Sequence, residues 1–289
     1  MSYAQRIREA NTPPRGELVD FVVGGLCVGR LAADFAERLC RWGDVFVKRI
    51  EAGQLVVGLA PSLDAAEVAV RTAAVHGVLL ALRDTGDIPG WRDEPYVVNQ
   101  AWGQPPQLLM ERAAVSRFGI RGYGVHLNGF IRENAELKLW VATRSATKQT
   151  APGKLDQIVA GGQPAGLSLL ENLYKECAEE AAIPRAIATA AVPVGTVEYT
   201  HCSEQNVRPD VLFCFDLELP ASFVPRNVDG EVAQFELWSV ERVCDVLQRG
   251  QAFKFNSALV VIDFLIRHGV ICPDHPDYAW LCRSLRQRR

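Results

Sequence analysis

The stretch GGQPAGLSLLENLYKECAEEAAIP, Gly161–Pro184, joins a glycine-rich segment to an acidic segment with helical spacing. Ser168 followed three residues later by Glu171 is the pattern of a capping box, and Pro184 marks a helix end. We therefore predict a helix that begins just after Ser168. At 100° per residue, its buried stripe consists of Leu170, Leu173, Cys177 and Ala181.

The polar side of this helix carries three glutamates, Glu176, Glu179 and Glu180, at relative positions i, i+3 and i+4. Like charges at this spacing repel by roughly 0.2–0.5 kcal/mol per pair, so nothing local favours the cluster. A hard divalent cation would reverse that sign, because magnesium prefers oxygen ligands. Lys175, one turn before Glu179, can pair with it and fix its orientation. The plain alternative is a solvated acidic face, which is common on helices.

Composition limits the classes of function. The 289 residues suffice for two domains or one large one, and 48% hydrophobic with 22% charged residues is typical of a soluble globular protein. A net charge of −3 gives no overall attraction to nucleic acid or to an anionic membrane. Eight cysteines without a Cys-x-x-Cys pair predict reduced thiols, and the charged N-terminus predicts no signal peptide. We predict a cytoplasmic enzyme or binding protein, and we interpret the basic run 283–289 as a solvated tail.

The chain divides near residues 100–115, where glycine and prolines form a connector. Before the connector, two apolar runs flanking residues 51–53 predict a hairpin among helices, which makes residues 1–110 a small α+β unit. After it, two strand-like runs flank residues 133–135, and further strands and helices follow in residues 111–289. Mixed strands with helices on either side indicate an α/β sandwich.

The glycine-rich half of the opening stretch reads G-x-x-x-x-G-L-S, a P-loop pattern with leucine in the lysine position. The whole stretch resembles instead the signature of the Nudix hydrolases. That signature is a glycine, five residues, a glutamate, seven residues and then R-E-U-x-E-E-x-G-U, where U is a bulky aliphatic residue. Aligned on KECAEEAAI, it runs from Gly161 to Ile183. Four positions depart from it: Leu167 for the first glutamate, Lys175 for arginine, Cys177 for an aliphatic residue and Ala182 for glycine.

Further segments are similar to one Nudix branch, which is related to the Nudix segments associated with thiamine pyrophosphokinase in fungi and plants. They include ERAAVSRFGIRGYGVHLNGF, RPDVLFCFDLELP, DGEV and ALVVIDFLIRHG. The resemblance implies a Nudix α/β/α sandwich with a mixed sheet in residues 111–289. It also implies that this sandwich follows a small α+β N-terminal domain, residues 1–110.

The resemblance further implies that water attacks a diphosphate with the help of Mg²⁺ or Mn²⁺. By motif position, the metal ligands would be Glu176, Glu179 and Glu180, with the carbonyl group of Gly161 as a backbone ligand. Glu179, Glu180 and Lys175 would then be catalytic. Two candidates for the general base stay open, Glu180 itself and Glu231 in DGEV; Glu231 could equally be an ordinary loop carboxylate.

Candidate substrate contacts lie in two segments. Arg144 and Lys148 could meet phosphate oxygens, although loop cations are often merely solvated. His126 and Asn128 alternate along one strand and share a face, where they would contact the ligand or satisfy core hydrogen bonds. We also expect the N-terminal unit to form one wall of the pocket without supplying a metal ligand, with Trp91 and Trp102 placed to cover an aromatic ligand. The alternative for this unit, a dimerisation or purely stabilising domain, stays open.

Two functions remain. The first is a metal-dependent pyrophosphohydrolase that cleaves a diphosphate linked to another moiety, with thiamine-diphosphate-like compounds or damaged thiamine diphosphate as candidates. The second is a non-catalytic module that binds a diphosphate or a partner protein. The complete E-x-x-E-E triplet favours the enzyme, because a binding module has no need of three metal carboxylates. We expect a small-molecule partner rather than nucleic acid or membrane, and a homodimer stays open.

Overall fold

The computed structural model describes residues 2–134 and 136–286, which form three β-sheets with helices packed around them. Ala135, in the turn of the second predicted hairpin, and residues 287–289 of the basic run lie outside the described residues. Within these limits, no helix has the length and apolar character that a membrane crossing requires.

The first sheet has four strands in the order β2-β1-β4-β3. Its strands are β1 Leu18–Val23, β2 Leu26–Ala32, β3 Phe46–Glu51 and β4 Gln54–Leu59. The helices of the same part of the chain are α2 Ala33–Leu39, α3 Pro61–Asp64 and α4 Val68–Asp84. The predicted hairpin is confirmed: β3 and β4 pair up to Glu51 and Gln54, and Ala52 and Gly53 between them both have positive φ angles. Such angles give the turn the twist that antiparallel strands need.

A two-stranded sheet connects this unit to the rest of the chain. It consists of β5 Pro95–Val98 and β6 Leu108–Glu111, and α5 Arg112–Val115 follows directly. The apolar core of the N-terminal unit extends beyond this connection, because Phe118 packs against Phe21, Phe35 and Phe46.

The third sheet has seven strands, in the order β11-β12-β7-β8-β13 with β10 on β7 and β9 on β8. Its strands are β7 Tyr123–Glu133, β8 Glu136–Arg144, β9 Leu155–Asp156, β10 Val159–Gly162, β11 Val192–Cys202, β12 Val207–Glu218 and β13 Val232–Ser239. The sheet is mixed, because β12 and β7 run parallel while the other pairs are antiparallel. The β7–β8 pairing confirms the second predicted hairpin.

Helices cover both faces of this sheet. One face carries α6 Leu169–Ala181 and α7 Arg185–Ala188; the other carries α8 Val240–Arg249, α9 Phe255–Arg267 and α10 Tyr278–Ser284. Along β12, Leu212 and Cys214 join the core under α9, whereas Phe213 and Phe215 join the core under α6, as the two-residue period of a strand requires. The predicted α/β/α sandwich with a mixed sheet is confirmed.

The first helix, α1 Tyr3–Ala10, packs into the α9 layer and not against the first sheet. Tyr3 and Ile7 are buried there, and the hydroxyl group of Tyr3 accepts a hydrogen bond from Gln248. The Arg6 guanidinium donates to the carbonyl oxygen of Gly250 at 2.7 Å. The division of the chain at residue 110 stays a prediction, and packing along the chain crosses that boundary in both directions.

Candidate active site

The helix that carries the glutamates is α6, and its beginning is the predicted capping box. The Ser168 hydroxyl accepts from the Glu171 backbone N–H at 3.2 Å, and the Glu171 carboxylate accepts from the Ser168 backbone N–H at 2.8 Å. Both hydrogen bonds use backbone donors that helix geometry leaves unpaired. The assignment of Glu171 to the cap is therefore confirmed.

The apolar stripe of α6 is confirmed at Leu173, Cys177 and Ala181, which are fully buried. The prediction was wrong for Leu170, which is 46% exposed. In the first turn, the buried position belongs to Asn172, because its amide donates to the Gly162 carbonyl oxygen and to Gln163. The loop before the helix thus needs a polar donor where periodicity alone would place an apolar side chain.

Strand β10 positions the helix through its backbone. Gln163 N–H bonds to the Tyr123 carbonyl at 2.9 Å, and hydrogen-bonded pairs alternate along an antiparallel ladder. The Gly161–Val125 pair is therefore hydrogen-bonded, and Ala160 points its N–H away from β7. That N–H donates to the Glu180 carboxylate at 2.7 Å. A side chain of α6 is thus fixed directly to the strand.

The two glycines of β10 are both positions of close approach. A Cβ atom at Gly161 would lie 2.7 Å from Oε1 of Glu176, and one at Gly162 would overlap the hydroxyl group of Tyr96. Successive side chains of a strand point to opposite faces, so Glu176 and Tyr96 approach the strand from opposite sides. No residue larger than glycine fits at either place without displacing one of these groups.

The three glutamates differ in burial. Glu180 is 5% exposed, the Glu176 side chain 13% and the Glu179 side chain 47%. Burial raises the pKa of Glu176, and burial with the neighbouring carboxylates Glu176 and Asp156 raises the pKa of Glu180 to about 8. Removing these groups from water penalises their charged forms, which an additional positive charge would offset.

Lys175 supplies part of that charge. Its ammonium lies 2.8 Å from Oε2 of Glu179 and 3.2 Å from Oε1 of Glu176. The predicted pairing of Lys175 with Glu179 is therefore present in the structure, and the same ammonium also bridges to Glu176.

The residues of this face fit a hard divalent cation in their chemistry. The side-chain donors are all carboxylate oxygens, and the missing Cβ at Gly161 leaves its backbone open to Glu176. In the described part of the chain, no three acidic, imidazole or thiol groups already converge as a finished metal site. Lys175 lies between two of the carboxylates, so a cation would have to displace its ammonium.

Beside this face lies a cavity of about 620 Å³, and the backbone of Gly161 forms part of its wall. Its lining is strongly cationic. Six basic residues line it, Arg92, Arg112, Arg144, Lys148, Arg208 and Lys254, against the two acidic residues Asp210 and Glu231. Such a lining complements an anionic ligand.

The predicted phosphate contacts Arg144 and Lys148 both line the cavity, but both have protein partners. The Arg144 guanidinium is buried, donates to Asp156 at 2.7 Å and also donates to the Thr150 carbonyl at 2.7 Å. Lys148 forms an ion pair with Glu231, the candidate general base, and burial lowers the pKa of Lys148. Arg144 is thus tied into the protein, whereas Lys148 and Glu231 face the cavity as a pair.

His126 and Asn128 have different surroundings. His126 is buried and lines the cavity, while its Nδ1 lies 2.7 Å from Oε1 of Gln157. Asn128 is not among the cavity-lining residues; its amide donates to Asp216 at 3.0 Å. Of the two alternatives for Asn128, ligand contact and core hydrogen bonding, this hydrogen bond corresponds to the second.

Residues of the N-terminal unit form one wall of this cavity, and the prediction that they contact substrate stays a prediction. Pro89, Gly90, Arg92 and Tyr96 line the cavity, followed by Arg112 at the start of α5. The two tryptophans do not. Trp91 packs against His76, and Trp102 packs against Tyr123 and Phe213.

Tyr96 and four basic residues, Arg92, Arg112, Arg208 and Lys254, were missed by reasoning from sequence. None of these positions belongs to the Nudix signature itself, although Arg112 and Arg208 lie in segments that resemble the Nudix branch. The one sequence signal for Tyr96 was the glycine pair Gly161–Gly162. Adjacent glycines indicate that another group approaches the backbone closely, but they do not identify that group.

Comparison with known proteins identifies the family. Residues 2–122 match the family model described as "Domain of unknown function (DUF4743)". The chain is 44% identical over 281 residues to Nudix hydrolase 20, chloroplastic, of Arabidopsis thaliana, covering 94% of this chain and 74% of that protein. It is 43% identical over 271 residues to Nudix hydrolase 24, chloroplastic, of the same plant, covering 94% and 73%. The crystal structure of DR0079 from Deinococcus radiodurans is 20% identical with a TM-score of 0.45, over 59% of this chain and 98% of that one.

The chain belongs to the Nudix hydrolase family. It is an enzyme, and the predicted family and enzyme class are confirmed. Nudix hydrolases generally use divalent metal ions. The relation to the thiamine pyrophosphokinase branch stays a prediction.

Proposed function

We propose that this Nudix hydrolase is a pyrophosphohydrolase that uses Mg²⁺ or Mn²⁺ to cleave a diphosphate linked to another moiety. The observation that carries the proposal is the fixed approach of Glu176 to the backbone of Gly161, at the wall of a cavity lined by six basic residues. Carboxylates suit a divalent metal, and the basic lining suits the diphosphate.

Glu176, Glu179 and Glu180 would hold the metal, with the Gly161 carbonyl as a further oxygen ligand. Its hydrogen bond in the ladder leaves that carbonyl a second lone pair. A divalent metal in this position supplies charge stabilisation for the phosphate oxygens and activates water. Lys175 orients Glu179 and Glu176 before metal arrives.

For the general base, the geometry supports Glu231 over Glu180. Glu180 already accepts a backbone N–H from Ala160, and as a metal ligand it would not be free to take a proton. Glu231 lines the cavity, where its ion pair with the Lys148 ammonium holds its carboxylate in place.

The substrate class that we propose is thiamine-diphosphate-like compounds, including damaged thiamine diphosphate. The support is the similarity to the branch described above and a cavity within the size range of small-molecule sites. The two plant relatives are named chloroplastic; for this protein we propose the cytoplasm. We propose a small-molecule partner, with neither nucleic acid nor membrane, and leave a homodimer open.

The test is a phosphate-release assay on a panel of organic diphosphates, including thiamine diphosphate and its oxidised forms, with Mg²⁺, with Mn²⁺ and with excess chelator. Glu179→Gln should abolish turnover without loss of folding, since the Glu179 side chain is 47% exposed. Glu136→Gln, an exposed glutamate on β8, is the matched control. Undiminished turnover in chelator, or binding of a diphosphate without any hydrolysis, would contradict the proposal; the second result would indicate a binding module.

A further inference from the structure

Two of the cationic residues that line the cavity, Lys254 and Arg208, lie outside the Nudix signature segment. The Lys254 side chain is 14% exposed and lines the cavity, yet its ammonium makes no hydrogen bond to any described residue. Its nearest acidic oxygen is Oδ2 of Asp156, at 3.8 Å. Burial lowers the pKa of Lys254, as expected for an ammonium removed from water without hydrogen-bond acceptors.

The Asp156 carboxylate has other hydrogen-bond donors and does not depend on the Lys254 ammonium. It already accepts from the Arg144 guanidinium at 2.7 Å, from the Ser257 hydroxyl and from the Gln157 backbone N–H at 3.0 Å. A structural ion pair would bring the ammonium to hydrogen-bond distance of the carboxylate. Lys254 therefore retains three donors for a group that enters the cavity.

Three further features face the same cavity. Arg208 lines the same cavity, and within residues 2–134 and 136–286 its guanidinium has no ion pair. Helix α9 begins directly after Lys254 without a side-chain cap, and its first residues, Phe255 and Asn256, also line the cavity. The first backbone N–H groups of a helix are unpaired and favour anions. Asn256 is 5% exposed, and its side-chain amide oxygen, Oδ1, has no hydrogen-bond partner among the described residues.

We propose that Lys254, Arg208, Asn256 and the N-terminal end of α9 form a phosphoryl-binding subsite, apart from the glutamates of α6. A phosphoryl group matches the set better than a carboxylate does. Its several oxygens accept from an ammonium, a guanidinium and helix N–H groups together. In its monoanionic form it also carries an O–H, because its second pKa lies near 6, and that O–H can donate to Oδ1 of Asn256. A carboxylate offers two acceptor oxygens and no donor when ionised.

The subsite deepens the proposed function, and as a substrate contact it rests on that function. The phosphoryl group would be either part of the diphosphate substrate or free inorganic phosphate. Both present the same oxygens to Lys254, so one binding experiment tests the subsite and a kinetic experiment separates the two sources.

The binding experiment uses the full chain in excess chelator, which removes any contribution of a metal. Inorganic phosphate is titrated by calorimetry into the wild type, Lys254→Met, Arg208→Gln and the control Lys138→Gln. Lys138 is a half-buried lysine on β8 that pairs with Glu133 and lies outside the cavity lining. We expect Lys254→Met and Arg208→Gln each to weaken phosphate binding about tenfold or more, and Lys138→Gln to leave it unchanged. Acetate at the same concentration should bind more weakly than phosphate.

The proposal is overturned if both variants bind phosphate like the wild type, or if acetate binds as tightly as phosphate. If Lys254→Met does not fold, Arg208→Gln still decides the test, since Arg208 forms no ion pair with any residue that the structure describes. In turnover, a raised KM in the variants assigns the subsite to the substrate, whereas relief of phosphate inhibition with unchanged KM assigns it to free phosphate. If no diphosphate is hydrolysed, the proposed function is wrong. The phosphate titration in excess chelator would still decide whether the subsite exists.

Discussion

The carboxyl group of Glu176 occupies the space that a Cβ atom at Gly161 would take. Gly161 opens the Nudix signature and Glu176 belongs to its acidic half, so the two ends of the motif meet in space. The spacing of the motif is therefore a packing requirement: the strand must pass close enough to α6 for its backbone to contact Glu176, the first glutamate of the E-x-x-E-E triplet.

Gly161→Ala should displace Glu176 and lower kcat/KM by about 100-fold, because small misplacements of catalytic groups cost on that order. The variant should remain folded. The measurement is steady-state hydrolysis with the divalent metal varied, together with thermal unfolding. Gly77→Ala in α4 is the control, since a Cβ there meets nothing within 4 Å. Unchanged metal dependence in Gly161→Ala would show that the contact is incidental.

Ala182, where the signature has glycine, ends α6 in the left-handed region with φ of 53°. That conformation is unfavourable for residues with a Cβ atom by roughly 1–2 kcal/mol. Ala182→Gly should therefore raise the free energy of unfolding by about 1 kcal/mol, measured by urea denaturation. Ala178→Gly, exposed in the middle of the same helix, should lower it by a similar amount. If both variants are destabilised alike, the left-handed strain is absent.

His126 should make stability depend on pH. Burial lowers its pKa to about 4, and in the unfolded chain it returns to about 6.5. A group with a depressed folded pKa contributes stability that is present above the unfolded pKa and lost as pH falls toward the folded one. Between pH 7 and pH 5 the wild type should lose about 2 kcal/mol more than His126→Gln. Parallel pH profiles for the two proteins would refute a buried neutral imidazole.

Ile7 of α1 is 2% exposed in the core under α9. Ile7→Ala should lower the free energy of unfolding by about 2–4 kcal/mol through loss of buried surface and cavity formation. The loss should appear as faster amide exchange in α9. Arg8→Ala, on the exposed side of α1, should cost about 1 kcal/mol or less, through its contact with the Trp280 ring. Unaltered exchange in α9 would place α1 outside that core.

Arg112 lines the cavity at the junction of the two units and pairs with Glu94 at 2.7 Å. Arg112→Gln should raise KM about tenfold while leaving metal affinity unchanged, because it removes a charged contact to the ligand and not to the metal. Arg83→Gln in α4 is the control, since Arg83 lies outside the cavity lining. Equal KM values for Arg112→Gln and the wild type would remove this wall from the binding site.

Local patterns predicted what local physics controls. The capping box of Ser168 and Glu171, the burial of Leu173 and Cys177, and both hairpins depend on residues within a few positions of one another. The glutamate face was predictable for the same reason, because helix geometry alone puts Glu176, Glu179 and Glu180 on one side.

What could not be predicted depends on contacts distant in sequence. Leu170 has the right helical period, but it is exposed, and Asn172 is buried in the first turn instead. The Asn172 amide donates to the carbonyl oxygen of Gly162, a contact that helical periodicity does not predict. Asn128 shares a face with His126, yet a core aspartate from β12 claims its amide. Lys254 carries no motif, and only the assembled fold shows that its ammonium lines the cavity without a hydrogen bond to any of the residues described.

The packing of α1 has a consequence for synthesis of the chain. Gln248 donates to the hydroxyl group of Tyr3 from 245 positions away. On the ribosome, α1 emerges well before α9, so its apolar face cannot pack into the α9 layer until the first sheet and every strand of the large sheet have been translated. The native packing of α1 is thus a late event in the synthesis of the chain.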